Sequence, residues 1–179
     1  MRFVQGHEGR KAAIADLFSA VFTASEGNEA GLQIGDLVRE LLSCDGDDDV
    51  ITWSAVDGGD LLACIMLSRL TYPEDGRTVF MLSPVAVKTN RQRAGIGQKL
   101  IIRGIDDLRA KNVDFVVTYG DPAYYCKTGF LPISEDFAKA PHRLNQPEGW
   151  LGQALTAVKA SPIKGPSLCV SPFNRPELW

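Results

Sequence analysis

A chain of 179 residues, 45% hydrophobic and 23% charged, suits one globular domain with a modest extension. Its 19 basic and 22 acidic residues give a net charge of −3, which argues against a general nucleic-acid binder. Four features set the remaining expectations: no apolar run of membrane length, charges too early for a signal peptide (Glu8, Arg10, Lys11), four scattered cysteines and two histidines. They predict a cytoplasmic protein with reduced thiols, no metal and no membrane partner.

Residues 2–5 predict a short strand. A helix follows from Arg10, with Ile14, Leu17, Phe18, Val21 and Phe22 at helical spacing. Residues 25–31, rich in Gly, Ser and Asn, read as the break before a second helix carrying Ile34, Leu37, Val38, Leu41 and Leu42. The acidic run at 44–49 ends it as a solvated turn. Residues 50–56 and 61–70 are apolar strands joined by Asp57-Gly58-Gly59-Asp60, a strong hairpin signal. After a turn at 73–76, residues 77–87 form a third antiparallel strand. Pro84 inside it implies a bulge or a loss of pairing on one side.

The stretch from Val85 to Gly97 carries the chemistry. Strand residues Val85, Ala86 and Val87 lead into a basic turn with Lys88, Arg91, Gln92 and Arg93. Ala94, Gly95, Ile96, Gly97 and Gln98 then open a helix over 94–111, whose apolar face holds Leu100, Ile101, Ile105 and Leu108. Helix N-termini leave amide N–H groups without partners and carry partial positive charge, and glycines allow close approach. Those residues fit a di-anion such as a pyrophosphate. They equally fit an ordinary strand-to-helix turn. The string is neither a P-loop nor a G-x-G-x-x-G fingerprint.

Residues 114–119 read as a buried strand, parallel to the one before the helix. Asp121 is placed to cap a short helix with Pro122 at its first position, carrying Ala123, Tyr124, Tyr125 and Cys126 and stopping at Gly129. Residues 131–133 are extended, 134–149 are loop with some irregular strand, and 151–158 form a closing strand. Residues 161–179 contain Pro162, Pro166, Pro172 and Pro176. They are too Pro-rich for regular structure, yet Leu168, Val170, Phe173 and Trp179 predict docking on the domain or on a second subunit.

Gln92-Arg93-Ala94-Gly95-Ile96-Gly97 resembles the acetyl-CoA loop of the GNAT N-acetyltransferase superfamily, Gln/Arg-x-x-Gly-x-Gly/Ala. Tyr124-Tyr125, three residues and then Gly129-Phe130 resemble a second superfamily element. The strings Leu82-Ser83-Pro84-Val85 and Gly120-Asp121-Pro122-Ala123-Tyr124-Tyr125 look most like its bacterial YhbS-like branch. The resemblance implies an α/β (α+β) fold: a mixed, mostly antiparallel central sheet with splayed central strands and flanking helices, over 1–160. It also implies an N-acetyltransferase using acetyl-CoA as co-substrate, with a small-molecule or peptide amine as acceptor; a monomer or homodimer is expected, on no motif of its own. A non-catalytic acyl-CoA sensor, or a transferase of another acyl group, is the alternative.

By the same resemblance, Val85 and Val87 contact the pantetheine arm. The amides from Arg93 to Gln98 take the pyrophosphate, Val85 N–H faces the oxyanion, and Tyr125 is the general acid, with Tyr124 packing. Many relatives carry a carboxylate where this chain has Phe80, Met81 and Leu82, and an asparagine where it has Thr118. The base is therefore open among Glu26, Glu29, Glu74, Asp75, Glu135 and water. Cys126 reads as a packed thiol rather than a nucleophile. The acceptor is expected among residues 25–31, the early helices and the C-terminal strands.

Overall fold

A computed structural model gives the structure of residues 1–44, 49–156 and 161–179. The strands are β1 (Arg2–Gln5), β2 (Val50–Asp57), β3 (Asp60–Thr71), β4 (Val79–Val87), β5 (Phe115–Tyr119), β6 (Leu131–Pro132), β7 (Trp150–Ala154) and β8 (Leu168–Cys169). The helices are α1 (Lys11–Glu26), α2 (Asn28–Leu41), α3 (Ile96–Ala110) and α4 (Pro122–Tyr125). The strands form an open, mostly antiparallel sheet in the order β1-β2-β3-β4-β5-β7-β6, with β8 on β3. β4 and β5, the pair separated by α3, run parallel. The chain comprises two compact units: Met1–Leu67 with Pro84–Gly104, and Ser68–Ser83 with Ile105–Trp179.

In the first unit, β1 lies antiparallel to β2, with Arg2 opposite Val56. The hairpin turn has the predicted left-handed glycines, Gly58 at φ 55° and Gly59 at φ 94°. Seven of the eight β2 residues are buried, so both its faces are covered. The middle of α3 contributes to the cover of β2 and β3. A Cβ on Gly104 would fall 2.8 Å from Ile65 Cδ1 and 3.2 Å from Leu67 Cδ1, and the Arg103 guanidinium lies 4.8 Å over the Trp53 ring.

The break between α1 and α2 is a single residue. Gly27, at φ 102°, separates them, and the rest of 25–31 is helical. Ser, Glu, Asn and Ala are compatible with helix, so only the left-handed residue breaks the run. Gly31 serves packing instead: a Cβ there would overlap Thr23 Oγ1 and stand 2.8 Å from the Ser19 carbonyl.

In the second unit, β4 and β5 pair from Val79↔Phe115 to Leu82↔Thr118, and the register stops there, two residues before Pro84. β7 runs antiparallel to β5, from Phe115↔Ala154 to Tyr119↔Trp150. Alternation puts Val116, Thr118, Leu151 and Gln153 on one face and Phe115, Val117, Tyr119 and Trp150 on the other. Three bounds differ from the sequence reading. Strand β4 starts at Val79 because Arg77 pairs with Asp75; 134–149 contains no strand; and β7 ends at Ala154. Residues 45–48 of the acidic run and 157–158 of the expected last strand lie outside the described residues.

Residues 161–179 pack within this second unit. Trp179 is 2% exposed, stacks on Tyr119 (6.4 Å, 15°) and donates its indole N–H to Phe173 O at 2.9 Å. The Arg77 guanidinium donates to Ser161 O and Pro162 O, both at 2.7 Å, and Asp75 accepts the Lys164 N–H at 3.0 Å. Hydrogen bonds from Arg77 hold the Asp75 carboxyl well below the usual carboxylate range, against burial that raises it, with the Lys164 and Arg77 amides assisting.

Two stability outcomes follow from these contacts. Asp75→Asn is expected to cost about 1.5–3 kcal/mol in denaturant titration, the scale of charged hydrogen bonds. The Asp75 contribution is complete above its unfolded pKa of about 3.9 and disappears as pH falls below it, so acid should narrow the gap between Asp75→Asn and wild type. Gly31→Ala, by forcing α1 and α2 apart, is expected to cost about 1–3 kcal/mol, read from the shift of the denaturant midpoint.

Candidate functional site

Past Pro84, Val85 and Val87 are half-buried while Ala86 is 1% exposed, the alternation of a strand with one accessible face. Lys88 N–H donates to Leu62 O at 2.8 Å and ends the strand. Thr89–Arg91 forms a 3-10 turn, closed by Arg91 N–H to Lys88 O at 2.7 Å. The Gln92 side chain folds back to donate to Val87 O at 3.1 Å. The chain then enters α3 through two left-handed residues, Arg93 at φ 62° and Gly95 at φ 73°.

Those two conformations leave a row of backbone donors open. Among the described residues, no backbone carbonyl takes the N–H groups from Arg93 to Gln98; the first helical acceptor is Gly95 O, which takes Lys99 N–H at 3.1 Å. An ordinary helix leaves its first four amides unpaired, and here the turn extends that row backward. Non-glycine residues avoid the left-handed region, at about 1–2 kcal/mol, so the Arg93 backbone is strained. Nothing lies within 4 Å of a Cβ built on Gly95. The space in front of the loop is therefore open.

The electrostatics agree with the backbone. Lys88, Arg91, Arg93 and Lys99 are exposed, and none makes an ion pair among the described residues. Cations and open amides together suit a doubly charged phosphate ligand. No cluster of His, Cys, Asp or Glu among the described residues could hold a metal ion.

In the second unit, Asp121 caps α4 as its sequence implies: its Oδ1 accepts Ala123 N–H at 2.8 Å, with Pro122 next. The cap sets the direction of Tyr125. Its ring packs edge-on against Tyr124 (5.1 Å, 85°) and Phe130 (5.9 Å, 75°). A Cβ on Gly120 would come within 2.7 Å of Tyr125 Cε2, so the glycine makes room for the ring. No local signal in the sequence marks this contact. Burial pushes the Tyr125 phenol up to about 12, partly offset by hydrogen bonding with the Thr118 hydroxyl. Thr118 itself is buried and donates to Leu82 O at 2.8 Å, closing the last β4–β5 pair.

The other candidates separate. Asp75 is committed to Arg77 and the tail, so it is no free base. Glu26, Glu29, Glu74 and Glu135 are exposed surface residues. Phe80, Met81 and Leu82 are at most 3% exposed hydrocarbon on β4. Cys126 is exposed rather than packed. A cleft of about 660 Å³ beside β6 and β7, lined by Phe115, Leu131, Ile133, Phe137 and Gln153, lies at the opposite end of β5 from Tyr119.

Comparison with known proteins gives the family and the fold. The model of the acetyltransferase (GNAT) family matches residues 12–130. The uncharacterized N-acetyltransferase YjhQ of Escherichia coli (strain K12) is 30% identical over 142 residues, 76% of this chain and 78% of that protein. The GNAT family N-acetyltransferase YhbS from Escherichia coli, solved in complex with CoA, superposes with TM-score 0.73 at 22% identity, over 98% of this chain and 93% of that one. A GNAT family acetyltransferase from Brucella melitensis, solved in complex with acetyl-CoA, gives TM-score 0.71 at 22% identity, over 96% and 98%.

Two measurements check the local geometry. Arg93→Gly should relieve strain and raise stability by about 1 kcal/mol in denaturant titration, the left-handed penalty removed. The difference in phenolate absorbance between wild type and Tyr125→Phe should titrate near 12, where an exposed phenol titrates near 10. Because the folded value is raised, the tyrosine's stabilisation is complete below about pH 10 and disappears as pH rises through the folded value.

Proposed function

Because the chain belongs to the acetyltransferase (GNAT) family, we propose that it transfers the acetyl group of acetyl-CoA directly to an amine. The observation that carries the reading is the row of open amides from Arg93 to Gln98, among cations that make no ion pair with the described residues. The pyrophosphate of acetyl-CoA is the ligand proposed for that row, with Arg91, Gln92 and Arg93 at its entrance. The pantetheine arm lies along Val85, Ala86 and Val87. The co-crystallised CoA and acetyl-CoA of the two bacterial neighbours support the same choice of ligand.

The chemistry is attack of an amine on a thioester carbonyl. Charge gathers on the carbonyl oxygen, where an oriented backbone N–H is effective, and Val85 N–H is assigned that part. The leaving thiolate needs a proton. Tyr125, held as a phenol up to about 12, stays protonated across the physiological range. A free thiol titrates near 8.5, so Tyr125 is the weaker acid and acts by donating a hydrogen bond to sulfur as the C–S bond breaks. The acceptor is a small-molecule or peptide amine, and the protein works as monomer or homodimer. The hydrocarbon at Phe80, Met81 and Leu82, in place of a carboxylate, favours a second reading, a non-catalytic acyl-CoA sensor.

Thiol release from acetyl-CoA, measured across a panel of primary amines, separates the two. Wild type is expected to turn over at least one amine, and Tyr125→Phe to lose about 10²-fold or more in kcat while its acetyl-CoA affinity holds. Binding without turnover of any amine would establish the sensor. Full activity in Tyr125→Phe would remove the acid role.

A further inference from the structure

The proposed transfer makes Tyr125 the donor to the departing sulfur. A phenol shut away from water is a reluctant acid, and its anion needs a partner once the proton has gone. We infer that Thr118 is the residue positioning that proton: its hydroxyl holds the Tyr125 O–H in the resting protein and turns from Leu82 O to the phenolate when the proton moves to sulfur. The inference rests on the acetyl-transfer reading and adds to it the group on which its acid depends.

Thr118 is fully buried, and its Oγ1 donates to Leu82 O at 2.8 Å. A hydroxyl has one proton and two lone pairs, so with that proton committed Thr118 can only accept from a further partner. That partner is the Tyr125 hydroxyl. The resting chain of hydrogen bonds therefore runs from Tyr125 O–H to Thr118 Oγ1, and from Thr118 O–H to Leu82 O. All three residues belong to one compact unit. Leu82 and Thr118 are the last pair of the β4–β5 register, and Gly120, two residues on, clears space for the ring. Tyr124 and Phe130 hold that ring edge-on, while part of Tyr125 stays exposed and open to a ligand.

The proton path balances. The amine lone pair forms the C–N bond, and the C–S bond breaks with its electron pair on sulfur. Tyr125 turns its O–H from Thr118 to sulfur, and the proton crosses to leave a phenolate. Thr118 rotates about its Cβ–Oγ bond, releases Leu82 O and donates to the phenolate. One hydrogen bond is thus exchanged for another that ends on a charged oxygen, a bond roughly twice as strong. The surplus proton on nitrogen returns through water to the phenolate, and Thr118 swings back to Leu82 O. One neutral amine and one thioester give one amide and one thiol, with no proton gained or lost.

Of the titratable groups around the phenol, Tyr124 and Asp121 push it up, as burial does, and Thr118 pulls it down; Cys126 and Lys127 on the next turn are exposed. The test places 3,5-difluorotyrosine at position 125, which acidifies the phenol and reports its charge by fluorine NMR without any acceptor. Thr118→Val should raise that titration by about one unit, the scale of one hydrogen bond to a charged group, and Thr118→Ser should leave it in place. Thr118→Ala, which removes the hydroxyl without adding a methyl, should repeat the shift. In turnover of acetyl-CoA with n-butylamine, benzylamine or glycinamide, Thr118→Val should lower kcat about tenfold at unchanged acetyl-CoA affinity, and Thr118→Ser should keep the rate. Added to Tyr125→Phe, Thr118→Val should lower kcat no further, because it acts through the tyrosine. A threonine that only closes the strand pair would lower kcat alike in both backgrounds and leave the fluorine titration where it was; either result would overturn the role. Full activity in Tyr125→Phe, or a wild type that binds acetyl-CoA and turns over none of the three amines, would instead refute the acid reading beneath it, and the role with it, whatever the fluorine titration shows.

Discussion

Amide groups that the fold itself cannot satisfy set the terms for this protein. Backbone N–H groups are almost always paired, and leaving several open in sequence has a cost unless solvent or a ligand takes them. Between Val87 and α3 the chain takes two left-handed steps, at Arg93 and Gly95, and holds the amides from Arg93 to Gln98 open. An ordinary turn into a helix does not need an arginine in the left-handed region. The left-handed step at Arg93 carries the open row back ahead of the helix, where the proposed pyrophosphate would take it.

Pro84 is the second constraint, and it acts earlier in the chain. β4 pairs with β5 only from Val79 to Leu82. Thr118 closes that ladder with its own hydroxyl on Leu82 O, a side chain finishing what the backbone stops doing. The parallel pairing, the crossover helix α3 and the cap at Asp121 then decide where Tyr125 falls. Gly120 leaves room for its ring, and the Asp121–Ala123 bond starts the short helix that carries it. Local capping chemistry thus sets the direction of the proposed acid.

Much of this could be read from the sequence where the signal was local. The apolar periodicities, the Asp57–Asp60 turn, the Asp121-Pro122 cap and the glycine turn before α3 each depend on neighbours in the chain, and each is present. The helix break at 25–31 was overestimated, because Gly31 is a packing glycine and only Gly27 has a backbone that ends a helix. What the sequence could not show depends on residues far apart. Arg77 leaves the strand to reach Ser161 and Pro162, and His142 meets Asn174 through a tail without regular periodicity. No pattern in the chain encodes such pairs before it folds.

The central claim is that the open amides ahead of α3 bind the pyrophosphate of acetyl-CoA. Calorimetric titration with acetyl-CoA, CoA and ATP, repeated on Gly95→Trp, tests it most directly. The account expects micromolar binding of both CoA species and weaker binding of ATP. The tryptophan, which fills the open space before the loop, should abolish all of it without unfolding the protein. Acetyl-CoA binding that survives Gly95→Trp, or wild type that binds no CoA species, would contradict the account and leave the strained turn at Arg93 without a ligand to explain it.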